Sequence, residues 1–189
     1  ASVSPSAPPL SSVDARTIEK ALTTFAGLPH RLERVGVIEG VRFINDSKAT
    51  NANAAAQALA VFPRVYWIAG GVAKDGGIDD LAQFFPRIAR AYLIGQSAGE
   101  FADALKGKAQ VVMAGDLDKA VKLAFGDARG SGDPHPVVLL SPACASYDQF
   151  KSYEDRGDKF RAYVAAIAAS GGEGIAPPPM RAKPLSKKS

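Results

Sequence analysis

Asn45, Asp46, Ser47, Lys48 and Thr50 crowd into six positions, between an apolar run that ends at Ile44 and an alanine-rich segment that begins at Ala52. A carboxylate, an ammonium and two hydroxyls so close together can hold an anionic ligand. They can also be a helix cap, from Thr50 or Asn51, beside a solvated Asp46–Lys48 pair. The residues alone leave both readings open.

Three further stretches offer comparable chemistry. "GGVAKDGG", residues 70–77, sets Lys74 among four glycines, where bare backbone can approach an anion and the ammonium can complete its neutralisation. It matches neither G-x-x-x-x-G-K-[ST], which the whole chain lacks, nor G-x-G-x-x-G, and a turn with a solvated lysine is its plainer explanation. "LLSPACASYDQF", residues 139–150, supplies small residues and hydroxyls, with Ser146 or Asp148 as a candidate helix cap. No G-x-S-x-G surrounds its serines and the chain has two histidines, so donors for a bound carboxylate suit it better than a nucleophile. Cys144, among small apolar neighbours, reads as a packed thiol. "GLPHRLE", residues 27–33, sets Arg31 beside His30, either as a guanidinium fork for phosphate or as a surface cation.

The surrounding pattern says what would position these loops. Ile18, Leu22 and Phe25 recur at helical spacing after Asp14, with Gly27 as a stop. "RLERVGVI" and "VRFIN" alternate on either side of Glu39 and Gly40, which predicts a β-hairpin. Helices are then expected at 54–62, 79–88, 97–105 and 116–125. Strands are expected from Val65, Ala91, Gln110 and Pro136. A final helix should carry Phe150, Tyr153, Phe160, Val164 and Ile167 on one face. Continuous apolar strands alternating with helices predict a Rossmann-like α/β domain, with a mostly parallel sheet flanked by helices and the hairpin at its N-terminal side. Ligands of such sheets gather at the carboxyl ends of the strands, and three of the polar loops fall there.

Composition narrows the class. The chain has 189 residues, 47% of them hydrophobic, and no apolar run near the ~20 residues that cross a bilayer, so a soluble, cytoplasmic protein is expected. "ASVSPSAPPLSS" does not read as a secretory leader. A single cysteine and two histidines argue against a disulfide framework or a structural zinc. Arg181, Lys183, Lys187 and Lys188 account for the whole net charge of +4, so the basic balance belongs to a Pro-rich tail and not to a nucleic-acid-binding face. The expected organisation is a linker or cut end at 1–13, one domain at 14–169 and a disordered tail at 170–189.

Taken together, "ALTTFAGLPHRLE", "FINDSKATN" and "LLSPACASYDQFKSYEDRGDKF" resemble the C-terminal domain of the Mur ligases, the ATP-dependent amide-forming enzymes of peptidoglycan synthesis. The resemblance runs from about Thr17 to Val164. It implies the last domain of a three-domain enzyme that adds D-glutamate to UDP-N-acetylmuramoyl-L-alanine through an acyl phosphate, and that is inactive in isolation. The P-loop and the ligands of Mg2+ would lie in the central domain. Carried over by residue, Thr50, Lys74 and Ser146 would hold D-glutamate, with Tyr147 and Tyr153 lining its pocket. Arg31 would approach the phosphates of ATP, Asp46 its ribose, and Lys48 the reacting region as the catalytic cation. Val72 and Ala73 stand before Lys74 where the family usually has Asp-Gly, and Tyr153 stands where close relatives commonly have phenylalanine. Folylpolyglutamate synthase, with the same architecture, is expected to diverge around "SPACAS" and "GLPHR". A non-catalytic nucleotide-binding module is a further alternative. The missing glycine fingerprint counts against a dinucleotide dehydrogenase.

Overall fold

The computed structural model describes residues 28–74 and 76–171. The helix expected before Gly27, the segment at 1–13 and the tail beyond Gly171 lie outside the described residues.

Strands β1 (Glu33–Ile38) and β2 (Val41–Asn45) form the antiparallel hairpin, and Glu39 and Gly40 turn it with φ of 47° and 82°. Both values are positive, as a two-residue type I′ turn requires. The chain continues through α1 (Ala52–Val61), β3 (Val65–Gly70), a 3₁₀ helix (Asp79–Arg87), β4 (Ile88–Ile94) and α2 (Ala98–Ala104). It ends with β5 (Val111–Gly115), α3 (Leu117–Arg129), β6 (Val137–Leu140) and α4 (Tyr153–Ala169). The sheet order is β1-β2-β6-β3-β4-β5, and every pairing except β1 with β2 is parallel.

Val65 to Gly70 and Val137 to Leu140 are buried along their whole length, because β3 and β6 sit mid-sheet with helices on both faces. One apolar layer joins Trp67, Leu139 and Leu93 to Leu59, Phe85 and Phe101; the other joins Phe43, Ile68 and Tyr92 to Phe125, Phe160 and Val164. Among the described residues no helix is long and apolar enough to cross a membrane.

Two local features depart from the sequence pattern. The segment expected to be a helix at 79–88 is a nine-residue 3₁₀ helix containing Pro86, whose missing N–H and ring disfavour a regular α-helix there. The last helix is capped by Ser152, whose side chain accepts from the Asp155 amide, and not by Ser146 or Asp148. Phe150 therefore precedes the helix, while Phe160, Val164 and Ile167 form its buried stripe.

Candidate functional site

The polar loops meet at the carboxyl ends of β2, β3 and β6, and the core of their meeting is Asp46. Its backbone amide extends the β2–β6 pairing by donating to the Leu140 carbonyl at 2.7 Å. Its Oδ2 accepts from the Ser141 hydroxyl at 2.7 Å and its Oδ1 from the Leu32 amide at 3.2 Å. One carboxylate thus joins the loop carrying Arg31, the loop carrying Lys48 and Thr50, and the loop leading to Ser146. Asp46 is buried, so the solvated Asp–Lys pair is not what the structure holds.

Burial pushes the Asp46 carboxyl up to about 6, against the hydrogen bonds from Ser141 and Leu32 and the field of Arg31, which draw it down. A carboxyl raised above its unfolded value of 3.8 favours the fold when protonated. That stabilisation is complete below the unfolded value and is lost as pH rises through about 6. At about 1.4 kcal/mol per unit, the loss is up to about 3 kcal/mol. Unfolding free energy should therefore carry a falling component between pH 4 and 7 in the unsubstituted chain that Asp46→Asn lacks. Urea titrations showing equal pH slopes in both chains would exclude it.

Arg31 is exposed between two left-handed residues, His30 with φ of 60° and Leu32 with φ of 45°. Neither is glycine, and such backbone persists only when its surroundings enforce it. Here the His30 amide donates to Glu33 Oε2 at 2.9 Å, the Lys48 amide donates to the His30 carbonyl at 3.0 Å, and Asp46 holds the Leu32 amide. The buried His30 ring lies 3.2 Å from Asn45 Nδ2 and stands edge-on to Tyr153, with ring centroids 6.1 Å apart. Asn45 Oδ1 accepts from the Ser47 amide, which turns its Nδ2 donor toward Glu33, His30 and the Gly157 carbonyl.

Lys48 is exposed, with Nζ 5.7 Å from the centre of the Tyr153 ring. Thr50 is half-buried, and the cap of α1 is its neighbour Asn51, which accepts from the Ala54 amide at 2.9 Å. Thr50 is therefore not spent on the helix end. Tyr153 opens α4, and its hydrogen bond to Glu154 raises the phenol while lowering that carboxyl.

The second meeting point joins Lys74 to Ser146. Val72 and Ala145 exchange backbone hydrogen bonds at 2.9 and 3.0 Å, so the two loops run as a short antiparallel bridge. Gly71 makes this possible: a Cβ there would stand 2.3 Å from the Ala145 carbonyl oxygen. Ser97 fastens the other side, donating to the Gly71 carbonyl and accepting from the Ala73 amide, both at 2.8 Å. Lys74 projects from this bridge as an exposed cation, Ser146 is buried, and Tyr147 is 76% exposed. Cys144 is fully buried, and burial pushes its thiol up to about 12, which fits an inert packed residue.

The structure thus gathers Arg31, Asp46, Lys48, Thr50 and Tyr153 on one linked set of loops, and Lys74, Ser146 and Tyr147 on another joined to it. A concavity of about 580 Å³ beside them is lined by Val72, Gly95, Gly115, Tyr147 and Asp148 among others. It borders the expected residues through Tyr147 alone, so the polar cluster around Asp46, and not this hollow, is the better candidate for chemistry. Among the described residues no group of three His, Cys, Asp or Glu could hold a metal ion.

Ser141 and Arg156 hold these loops; the sequence offers Ser141 only as one of the hydroxyl donors of its loop and gives Arg156 no role. Arg156 could have been noticed: it follows Tyr153 by three and precedes Phe160 by four, which sets a cation on the buried stripe.

Residues 30–144 match the family described as Mur ligase, glutamate ligase domain. The chain is similar to three proteins named UDP-N-acetylmuramoylalanine–D-glutamate ligase. That of Caulobacter vibrioides is 60% identical over 152 residues, covering 80% of this chain and 32% of the relative. That of Phenylobacterium zucineum is 56% identical over 147 residues, covering 78% and 31%. That of Rhodospirillum rubrum is 55% identical over 156 residues, covering 82% and 33%. The chain spans about a third of the length of the curated relatives it matches. With more than half of its residues matching, through the strands and loops just described, the chain belongs to the Mur ligase family by its glutamate ligase domain.

Proposed function

We propose that the chain is the amino-acid-binding C-terminal domain of a cytoplasmic, ATP-dependent UDP-N-acetylmuramoylalanine–D-glutamate ligase. The observation that carries this reading is the joining of four loops at one end of the sheet, through Asp46 and the Val72–Ala145 bridge. A dianionic amino acid wants an ammonium and several neutral donors around it, and Lys74, Thr50 and Ser146 supply both kinds. Tyr147 and Tyr153 wall the pocket. Arg31 offers its guanidinium to the nucleotide phosphates, and Asp46 keeps acceptor capacity for the ribose beyond its two hydrogen bonds.

In the reaction the carboxylate of UDP-N-acetylmuramoyl-L-alanine takes the γ-phosphoryl group of ATP, and ADP leaves. The amine of D-glutamate attacks the resulting acyl phosphate at its carbonyl carbon, and the tetrahedral intermediate collapses to amide and inorganic phosphate. This domain's part is to fix the amine donor by its carboxylates, with Lys48 beside the reacting groups as a stabilising cation. The described residues do not fit Mg2+, whose ligands belong, in this reading, to the rest of the enzyme together with the P-loop.

The test is an NMR titration of the chain with D-glutamate, L-glutamate and ATP. D-glutamate should shift the amides of Thr50, Lys74 and Ser146 more than L-glutamate does, and ATP should shift those near Arg31 and Asp46. In Lys74→Ala the affinity for D-glutamate should drop about 10- to 100-fold, the value of a charge-assisted hydrogen bond. Equal responses to the two enantiomers, or an unchanged affinity in Lys74→Ala, would overturn the assignment.

A further inference from the structure

Arg156 is fully buried, and among the described residues no carboxylate pairs with its guanidinium. Its Nε donates to the Ser47 hydroxyl at 2.9 Å, its Nη2 to the Ser47 carbonyl at 2.8 Å, and its Nη1 to the Cys144 carbonyl at 3.1 Å. Burial holds it down at about 10, with the Cys144 thiol and Asp148 the acidic groups whose fields reach it. Desolvating a cation without a counter-charge is costly, and an apolar residue would fill the same stripe more cheaply. What the planar fork does that an apolar residue cannot is hold two separate loops at fixed spacing.

Those loops are the two that carry the proposed amino-acid pocket. Ser47 lies three residues before Thr50, and Cys144 lies two before Ser146. The Ser47 hydroxyl passes the link on, donating to the Tyr153 carbonyl at 2.8 Å where α4 begins. The Arg31 loop, on the nucleotide side, is held by other contacts: the Leu32 amide to Asp46 and the Lys48 amide to the His30 carbonyl.

We infer that Arg156 is a positioning residue for the amino-acid subsite: by clamping Ser47 to Cys144 it sets Thr50, Ser146 and Tyr153 in register for a dicarboxylate amine donor. The inference rests on the reading of the pocket given above. It makes the register of the amino-acid pocket separable from that of the nucleotide.

The experiment compares the unsubstituted chain with Arg156→Lys and Ser47→Ala, measuring D-glutamate and ATP affinities and amide hydrogen exchange. Lysine keeps the charge but cannot span both loops. Ser47→Ala keeps the arginine and removes one acceptor and the link to Tyr153, so it decides the matter should Arg156→Lys not fold. The expected result is a loss of D-glutamate affinity of about tenfold or more, as misplacement of a binding group produces, with ATP affinity nearly unchanged. Exchange should quicken at the Thr50 and Ala145 amides, which donate to the Lys48 and Val72 carbonyls, while amides of β3 and β6 stay protected. Equal loss of both ligands, or no loss of either, would overturn the inference while leaving the pocket reading in place. Should the unsubstituted chain fail to bind D-glutamate, the pocket reading falls; unchanged exchange at Thr50 and Ala145 would then remove the clamp as well, and quickened exchange would uphold it.

Discussion

Gly71→Ala is expected to lower the unfolding free energy by about 3–5 kcal/mol, combining backbone strain with overpacking. Gly71 has φ of 134°, which strains any residue with a side chain. Its Cβ would meet the Ala145 carbonyl oxygen at 2.3 Å and Cys144 Cβ at 3.0 Å, and neither can swing aside as the end of a flexible side chain could. Relief requires the Val72–Ala145 bridge to part, which separates Lys74 from Ser146. Gly76→Ala is the comparison, since Gly76 has φ of 89° but nothing within 4 Å of a built Cβ. It should cost about 1–2 kcal/mol, from strain alone. Urea unfolding of both variants decides between them: equal costs would mean that the close approach of the two loops is not what Gly71 secures.

Trp67→Ala should be comparably damaging, by about 3–5 kcal/mol, because a fully buried indole leaves a cavity that the rigid sheet cannot close. The indole is also a polar link. Its Nε1 donates to the Ser141 carbonyl at 2.8 Å, on the residue whose hydroxyl holds Asp46. Trp67→Phe keeps most of the volume and removes that bond, with an expected loss of about 1–3 kcal/mol. If phenylalanine cost as much as alanine in denaturant titrations, the packing contribution would be refuted.

The apolar runs made the sheet legible. Val65 to Gly70 and Val137 to Leu140 are buried throughout, so the pattern of their residues and the position of their strands carry the same information. The Glu39–Gly40 turn was legible for a similarly local reason. The 3₁₀ helix was not, since Leu81 and Phe85 keep a helix-like spacing whichever helix type Pro86 leaves available. Ser152 was hidden among several polar candidates, and the choice between them depends on the turn in which the Gln149 and Phe150 amides both donate to the Ser146 carbonyl.

At the site, the exposed groups Arg31, Lys48, Lys74 and Tyr147 could be named from residue type and loop placement. What Asp46 and Arg156 touch could not be read there. Asp46 looked like half of a surface ion pair, and only the fold shows it enclosed between Ser141 and Leu32. Arg156 lies 109 positions from Ser47, a separation across which no local pattern speaks. Short-range periodicity finds the faces of elements; it does not find a side chain that crosses from one element to another.

If Arg31 takes the nucleotide phosphates as proposed, the backbone around it sets the entropic cost of the capture. Residues 28–33 are already fixed by the Leu28–Arg31 bridge, the two left-handed residues and the contacts to Glu33, Lys48 and Asp46. A slack loop would surrender about 1–2 kcal/mol of conformational entropy for each residue ordered at the moment of capture. Here that freedom was given up when the chain folded, so in the proposed role an arriving phosphate would have to still only the guanidinium stem, at about 2 kcal/mol of rotamer entropy.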